Sequence, residues 1–396
     1  MSLLTIWIQK KIPFEIYERD PTPDARGQGW AITLHWALQY LKQMLPEDTI
    51  ARIQAVQVDP DVARNDNGNF LFLNLETGEP KFKIPPNVRW RVNREKMRLA
   101  LLQGIEDHVY WGRRVVGVDA NVKDEKVNLI CEDGSKVEGS LVVGIEGSRS
   151  MVRQVLRPDS FHNQQLPIRF TGVAIDLSSE DIQPLRNMDP LLFQGCHPLT
   201  GTYLWFSVLE TPLVNGTHGS AHERYRAQIC ISWPVHSPED EVASTDEERL
   251  ANMKKRVHGF VPFLKRAVEA IPDGTPVTEI RLADWECLDW DNHNGLITLA
   301  GDAAHAMTMC KSTVNWWSLD DGILTDSILD RPRRSCQPWS AGRLLFGSSD
   351  REDLFRDKHA AGSDRSIRER DERAYPTGCV VESPSLSRRA RLGSFE

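Results

Sequence analysis

The stretch Gly295-Leu296-Ile297-Thr298-Leu299-Ala300-Gly301-Asp302-Ala303-Ala304-His305-Ala306-Met307 constrains this chain more than any other. A short apolar run ends in glycine and an acid, and small residues follow. This is how a buried parallel strand hands its carboxyl end to the start of a helix. Asp302 would then stand at the crevice above the sheet. There it can accept hydrogen bonds from a sugar-like hydroxyl chain, near a helix N-terminus that favours a pyrophosphate. A tight strand–helix turn with a merely exposed acid gives the same text, so other segments must decide.

The 396 residues, 40% hydrophobic, can bury a substantial core and are long enough for two or more domains. A formal charge of −8 gives no reason to expect a nucleic-acid surface. The seven cysteines are scattered without a CxxC pair, which argues against a structural zinc site or a disulfide framework and for a reducing compartment. The start of the chain is apolar but short and has no basic region before its apolar part, unlike a signal peptide. No run approaches the roughly 18 apolar residues that a spanning helix needs. A cytoplasmic protein without stable membrane insertion is expected.

In chain order, Leu3 to Lys10 reads as the end of a helix, and Phe14 to Glu18 as a strand ending in acid. An acid there suits adenosine ribose hydroxyls, so Glu18 is a candidate. The loop Asp24 to Trp30 is punctuated by Gly27 and Gly29, with Gly29 a candidate for close cofactor approach and Arg26 for a phosphate, or else a plain surface arginine. Leu34, Leu38 and Leu41 have helical spacing. Asn93 should cap a helix from Arg94 to about His108, with Met97, Leu101 and Ile105 inward. Arg94 sits at the positive end of that helix, an unfavourable place for a cation unless an anion offsets it or the end is simply solvated. A hairpin around Asp133-Gly134-Ser135 feeds a second buried strand, Leu141 to Ile145, which runs into Glu146-Gly147-Ser148-Arg149. A helix from about Ser150 should turn Val152, Val155 and Leu156 inward.

From Leu166 to Val235 the pattern changes to aromatic, partly alternating strands that suit a mixed sheet roofing a pocket. Tyr203, Trp205 and Phe206 are candidates for an apolar substrate site or for plain core. Thr245 should cap one helix and Pro262 start another. The last segment, 331–396, holds 13 arginines and one lysine with poor apolar periodicity, and reads as disordered or aberrant.

Together these segments resemble the FAD-dependent aromatic-hydroxylase-like monooxygenases, most closely the fungal branch of secondary-metabolite enzymes, over about residues 3 to 329. Glu18-Arg19-Asp20 resembles the end of that family's second strand, and Arg94 its flavin-side arginine. Gly144 to Arg149 resembles its Gly-Ala-Asp-Gly-Ser-Arg motif, with Glu146 for the aspartate. Gly301-Asp302-Ala303-Ala304-His305 resembles its Gly-Asp-Ala-Ala-His motif.

The resemblance implies an α/β (α+β mixed) fold: a truncated Rossmann-like FAD-binding domain interrupted by a mixed β-sheet substrate domain. The expected parts are 1–160 and 284–330 for FAD, 161–283 with a helical insertion for substrate, and 331–396 as tail. It implies FAD as cofactor, bound by Glu18, Gly29, Arg94, Glu146 and Asp302, with NADPH or NADH as transient reductant. Oxygen would pass from a flavin hydroperoxide to a small aromatic or polycyclic substrate; no metal is implied and no catalytic base can be named. Two departures stand out. The family's Gly-x-Gly-x-x-Gly strand and loop would lie upstream of Met1, and Met309 to Asn315 lacks the family's glycines. A catalytically silent relative that binds an apolar molecule or a partner is the alternative.

Overall fold

In the computed structural model the described residues are 11–25, 30–64, 70–84, 88–307 and 378–382. They build two principal sheets. The first has five strands in the order Ile297–Leu299, Leu141–Ile145, Gly378–Glu382, Phe14–Tyr17, Val109–Tyr110. Four run parallel to one another; Gly378–Glu382 lies antiparallel between two of them, with Val380 opposite both Ile16 and Val143. Leu141–Ile145 is an unbroken apolar run because both faces are covered. Val142 packs with Leu296, Ile297, Val152 and Leu156 on one side, while Val143 and Ile145 meet Phe14, Ile16, Leu102 and Ile105 on the other.

The second sheet has seven strands in the order Thr278–Glu279, Ile168–Leu177, Tyr225–Pro234, Tyr203–Glu210, Leu192–Cys196, Phe70–Asn74, Pro80–Ile84. All pairs are antiparallel except Leu192–Cys196 with Phe70–Asn74. Its period-2 alternation separates two faces. Leu204, Phe206, Val208, Ile229, Ile231 and Trp233 join the core under the helices Ser179–Arg186, Asp246–Arg256 and Pro262–Glu269. Phe72, Phe170, Tyr203, Trp205 and Cys230 pack on the opposite face. Between Phe14 and Leu299 the chain passes from one sheet to the other four times, and the last two crossings pair as a two-residue ribbon, Gln164–Gln165 against Ala283–Asp284.

Several expectations are corrected. Leu34 belongs to the strand Ala31–Leu34, and the helix starts only at Trp36, although Leu34, Leu38 and Leu41 do share one core. The helix opened by Arg94 ends at Leu102, because Gly104 adopts φ +88° and breaks the ladder. Val155 is exposed, leaving Val152 and Leu156 as the inward pair. Phe206 is core, on the face away from Tyr203 and Trp205. Within 331–396, Gly378–Glu382 pairs as a strand with both Phe14–Tyr17 and Leu141–Ile145, and the rest of that segment lies outside the described residues. The expected helix Leu3 to Lys10 lies outside the described residues.

Candidate cofactor site

Because the strands Phe14–Tyr17, Leu141–Ile145 and Ile297–Leu299 are mutually parallel, their carboxyl ends open on one edge. That edge brings Glu18, Glu146 and Asp302 together in one row. The outer two are three strand steps apart, about 14 Å at the usual spacing. Glu18 is half-buried; its Oε1 accepts from the Asp20 amide at 3.1 Å, and its carbonyl accepts from the Arg113 amide at 2.8 Å. Asp302 is exposed and follows Gly301, whose φ +60°, ψ −147° suits glycine alone. A Cβ on Gly144 would come within 2.6 Å of the Val152 Cβ, so this glycine serves close helix–strand packing.

Glu146 carries the most informative contact. Its Oε1 accepts from the Val152 amide at 2.7 Å, whereas Oε2 is buried and has no hydrogen-bond partner among the described residues. A buried carboxylate oxygen without a donor is costly, and a hydroxyl-bearing ligand along this edge would satisfy it. This row of acceptors fits the hydroxyl-rich part of a dinucleotide cofactor rather than its phosphates.

Arg94 opens the helix Arg94–Leu102, which Asn93 caps by accepting from the Glu95 and Lys96 amides at 3.0 and 3.1 Å. Its side chain is exposed and makes no ion pair with any described residue, so the cation remains available to an anion. Gly29 and Arg26 lie outside the described residues. Among the described residues no group of three or more His, Cys, Asp or Glu is placed to hold a metal ion.

One buried residue at this edge was missed by sequence reasoning. Arg153 is 1% exposed and ties the two motif loops together. Its guanidinium donates to the carbonyls of Ser148, Asp302 (3.4 Å) and Ala303 (3.3 Å) and to Asn163 Oδ1 (2.8 Å), and it stacks over Trp285 at 4.7 Å. Burial pushes the guanidinium below its ordinary pKa, with the Glu146 charge opposing. Trp285 is fixed in turn by donating from Nε1 to the Ser160 carbonyl at 2.6 Å. The signal was present: position 153 lies between Val152 and Leu156 on the inward side of a helix capped at Ser150.

The fold is similar to that of solved FAD-containing monooxygenases. The structure matches a putative FAD containing monooxygenase from Photorhabdus luminescens with a TM-score of 0.62 at 17% identity, covering 81% of this chain and 86% of that one. It matches HpxO of Klebsiella pneumoniae, complexed with FAD and uric acid, with a TM-score of 0.58 at 16% identity, covering 78% and 71%.

No protein-family model matches the sequence. Among curated proteins, it is 38% identical over 322 residues to the FAD-dependent monooxygenase dbaB of Emericella nidulans, covering 81% of this chain and 80% of that protein. It is 35% identical over 403 residues to a probable FAD-dependent monooxygenase of Arthroderma benhamiae, covering 97% and 91%. The chain belongs to the fungal FAD-dependent monooxygenases.

Proposed function

We propose that this chain binds FAD along the acid-lined edge and, with NADPH or NADH as reductant, hydroxylates or epoxidises a small aromatic or polycyclic secondary metabolite. The observation that carries this reading is the alignment of Glu18, Glu146 and Asp302 at one edge, with Glu146 Oε2 lacking a donor among the described residues. Glu18 accepts from the ribose hydroxyls, Glu146 and Asp302 accept further along the elongated cofactor, and Gly29 allows its close approach. Arg94 offsets negative charge on the flavin side. When bound, FAD supplies the two-electron chemistry that activates dioxygen. The aromatic face of the seven-stranded sheet orients the substrate and keeps water away.

The seven cysteines, scattered along the sequence without a CxxC pair, support a reducing, cytoplasmic setting. No described helix is long and apolar enough to cross a membrane. Purification of the full chain with added FAD tests the proposal: retained flavin absorbance and NADPH oxidation are expected, and a colourless protein would end it. A second reading, a silent small-molecule binder, is favoured by one observation. The strand at the sheet's centre is antiparallel and offers its amino end to the cofactor edge.

A further inference from the structure

We infer that the guanidinium of Arg91 is a recognition group for an ionised ring hydroxyl of the substrate, a phenolate or enolate. The inference rests on the monooxygenase reading only for what becomes of that ring. Arg91 is 3% exposed, on the strand Trp90–Asn93, whose four residues are all buried. It donates from Nη1 to Thr33 Oγ1 at 2.8 Å and from Nη2 to Ser207 Oγ at 2.9 Å, while Nε has no partner among the described residues. Most of the donor fork is therefore unused.

Its charge is equally unanswered. The cation beside it, Arg89, spends itself on Asp189, at 2.9 and 3.0 Å, and no described carboxylate pairs with Arg91. Burial first, then Arg89, pushes its pKa down to about 9, and the Cys230 thiol acts the other way; among the described residues these two are the titratable groups that act on it. A buried cation without a counter-charge is strongly disfavoured unless something else neutralises it.

The surroundings say what that is. Ser207 lies on the sheet face that carries Tyr203 and Trp205 four and two residues earlier, and the Arg91 guanidinium sits 5.8 Å from the Trp205 ring. Phe72 and Phe170 pack on the same face, and the polar groups there are neutral, with Tyr203 donating to Gln194 at 2.7 Å and Ser207 to Gln228 at 3.4 Å. One cation in a flat aromatic wall matches a planar ring with a single negative oxygen. An ionised hydroxyl also pushes electrons into its ring, as oxygen insertion requires.

The test uses the full chain with FAD added and 4-nitrophenol as probe, whose absorbance reports its own ionisation. In the unmodified protein the bound probe should ionise about one pH unit lower than free probe, a tenfold preference for the anion. Arg91→Gln should abolish the shift, Arg91→Lys should keep part of it, and Cys230→Ala should leave it in place. If Arg91→Gln does not fold, Ser207→Ala, which removes the tether and keeps the charge, should shrink it. An unchanged shift in Arg91→Gln or Ser207→Ala, its loss in Cys230→Ala, or an equal Arg91 dependence of benzoate binding, overturns the assignment. Flavin absorbance is read on the same samples. Lost flavin with an intact shift removes the monooxygenase reading and leaves Arg91 standing; retained flavin without a shift does the reverse.

Discussion

The cofactor edge and the substrate sheet each bury an arginine, and the two are treated in opposite ways. Arg153 is caged by three carbonyls, one side-chain amide oxygen and an indole, so both its Nη groups are fully engaged within the protein and only Nε has no partner among the described residues. Arg91 has two hydroxyls and an indole beside it, and spare donors. Four bonds against two separate the pair: the more fully engaged cation is a brace, and the one with both Nη groups half used is a receptor. Neither distinction depends on burial, which is nearly the same for both.

The brace can be broken first. Arg153→Met leaves its carbonyl cage without donors, and we predict a loss of about 3–5 kcal/mol in urea unfolding together with poor flavin retention. A loss below about 1 kcal/mol would mean that the cage does not hold the loops.

Next comes Arg89→Met, which strands Asp189 as a buried carboxylate at a cost of about 3 kcal/mol near pH 8. Burial already raises the Asp189 pKa, against the pull of Arg89 and of the Leu191 and Leu192 amides. A raised carboxyl favours the fold below its unfolded value and loses that advantage as pH rises through the folded value. Removing Arg89 raises it further, so the defect should narrow toward about pH 5; equal defects at both pH values would refute the electrostatic account.

A smaller effect belongs to Asp240, held down to about 2, first by its bond with Arg256 and then by the His236 amide. That stabilisation is present above the unfolded carboxyl value and is lost as pH falls toward about 2, so Asp240→Asn should cost on the order of 1 kcal/mol near neutrality and flatten the acid limb of unfolding. The smallest change in stability is expected for exposed Asp302→Ala, within about 0.5 kcal/mol, while FAD affinity drops about tenfold. A stability loss as large as that of Arg153→Met would show that Asp302 is structural.

What the sequence made legible follows from what local pattern can encode. The run Leu141–Ile145 and the Gly301 turn are local, and both appear as read. Alternation in Tyr203–Glu210 revealed a strand but not which face meets helices, so Phe206 and Trp205 looked equivalent. Leu34 fitted a helical spacing that the strand pairing with Trp90 overrides. Arg91 and Arg153 were not recognised as buried because a charged residue ordinarily marks a solvated face, and their partners lie far away in sequence. Gly378–Glu382 was least legible, since a strand filling a gap between distant segments has no periodicity of its own to announce it.

That inserted strand also sets a schedule for synthesis. Residues 14–17 and 141–145 leave the ribosome long before 378–382, and until then the two strands lack the neighbour that joins them. The seven-stranded sheet, whose partners all lie between 70 and 279, can assemble meanwhile. Half of the cofactor-binding unit therefore waits, with hydrogen-bonding edges open, for its last segment to emerge, and over that interval the nascent protein is most in need of a chaperone.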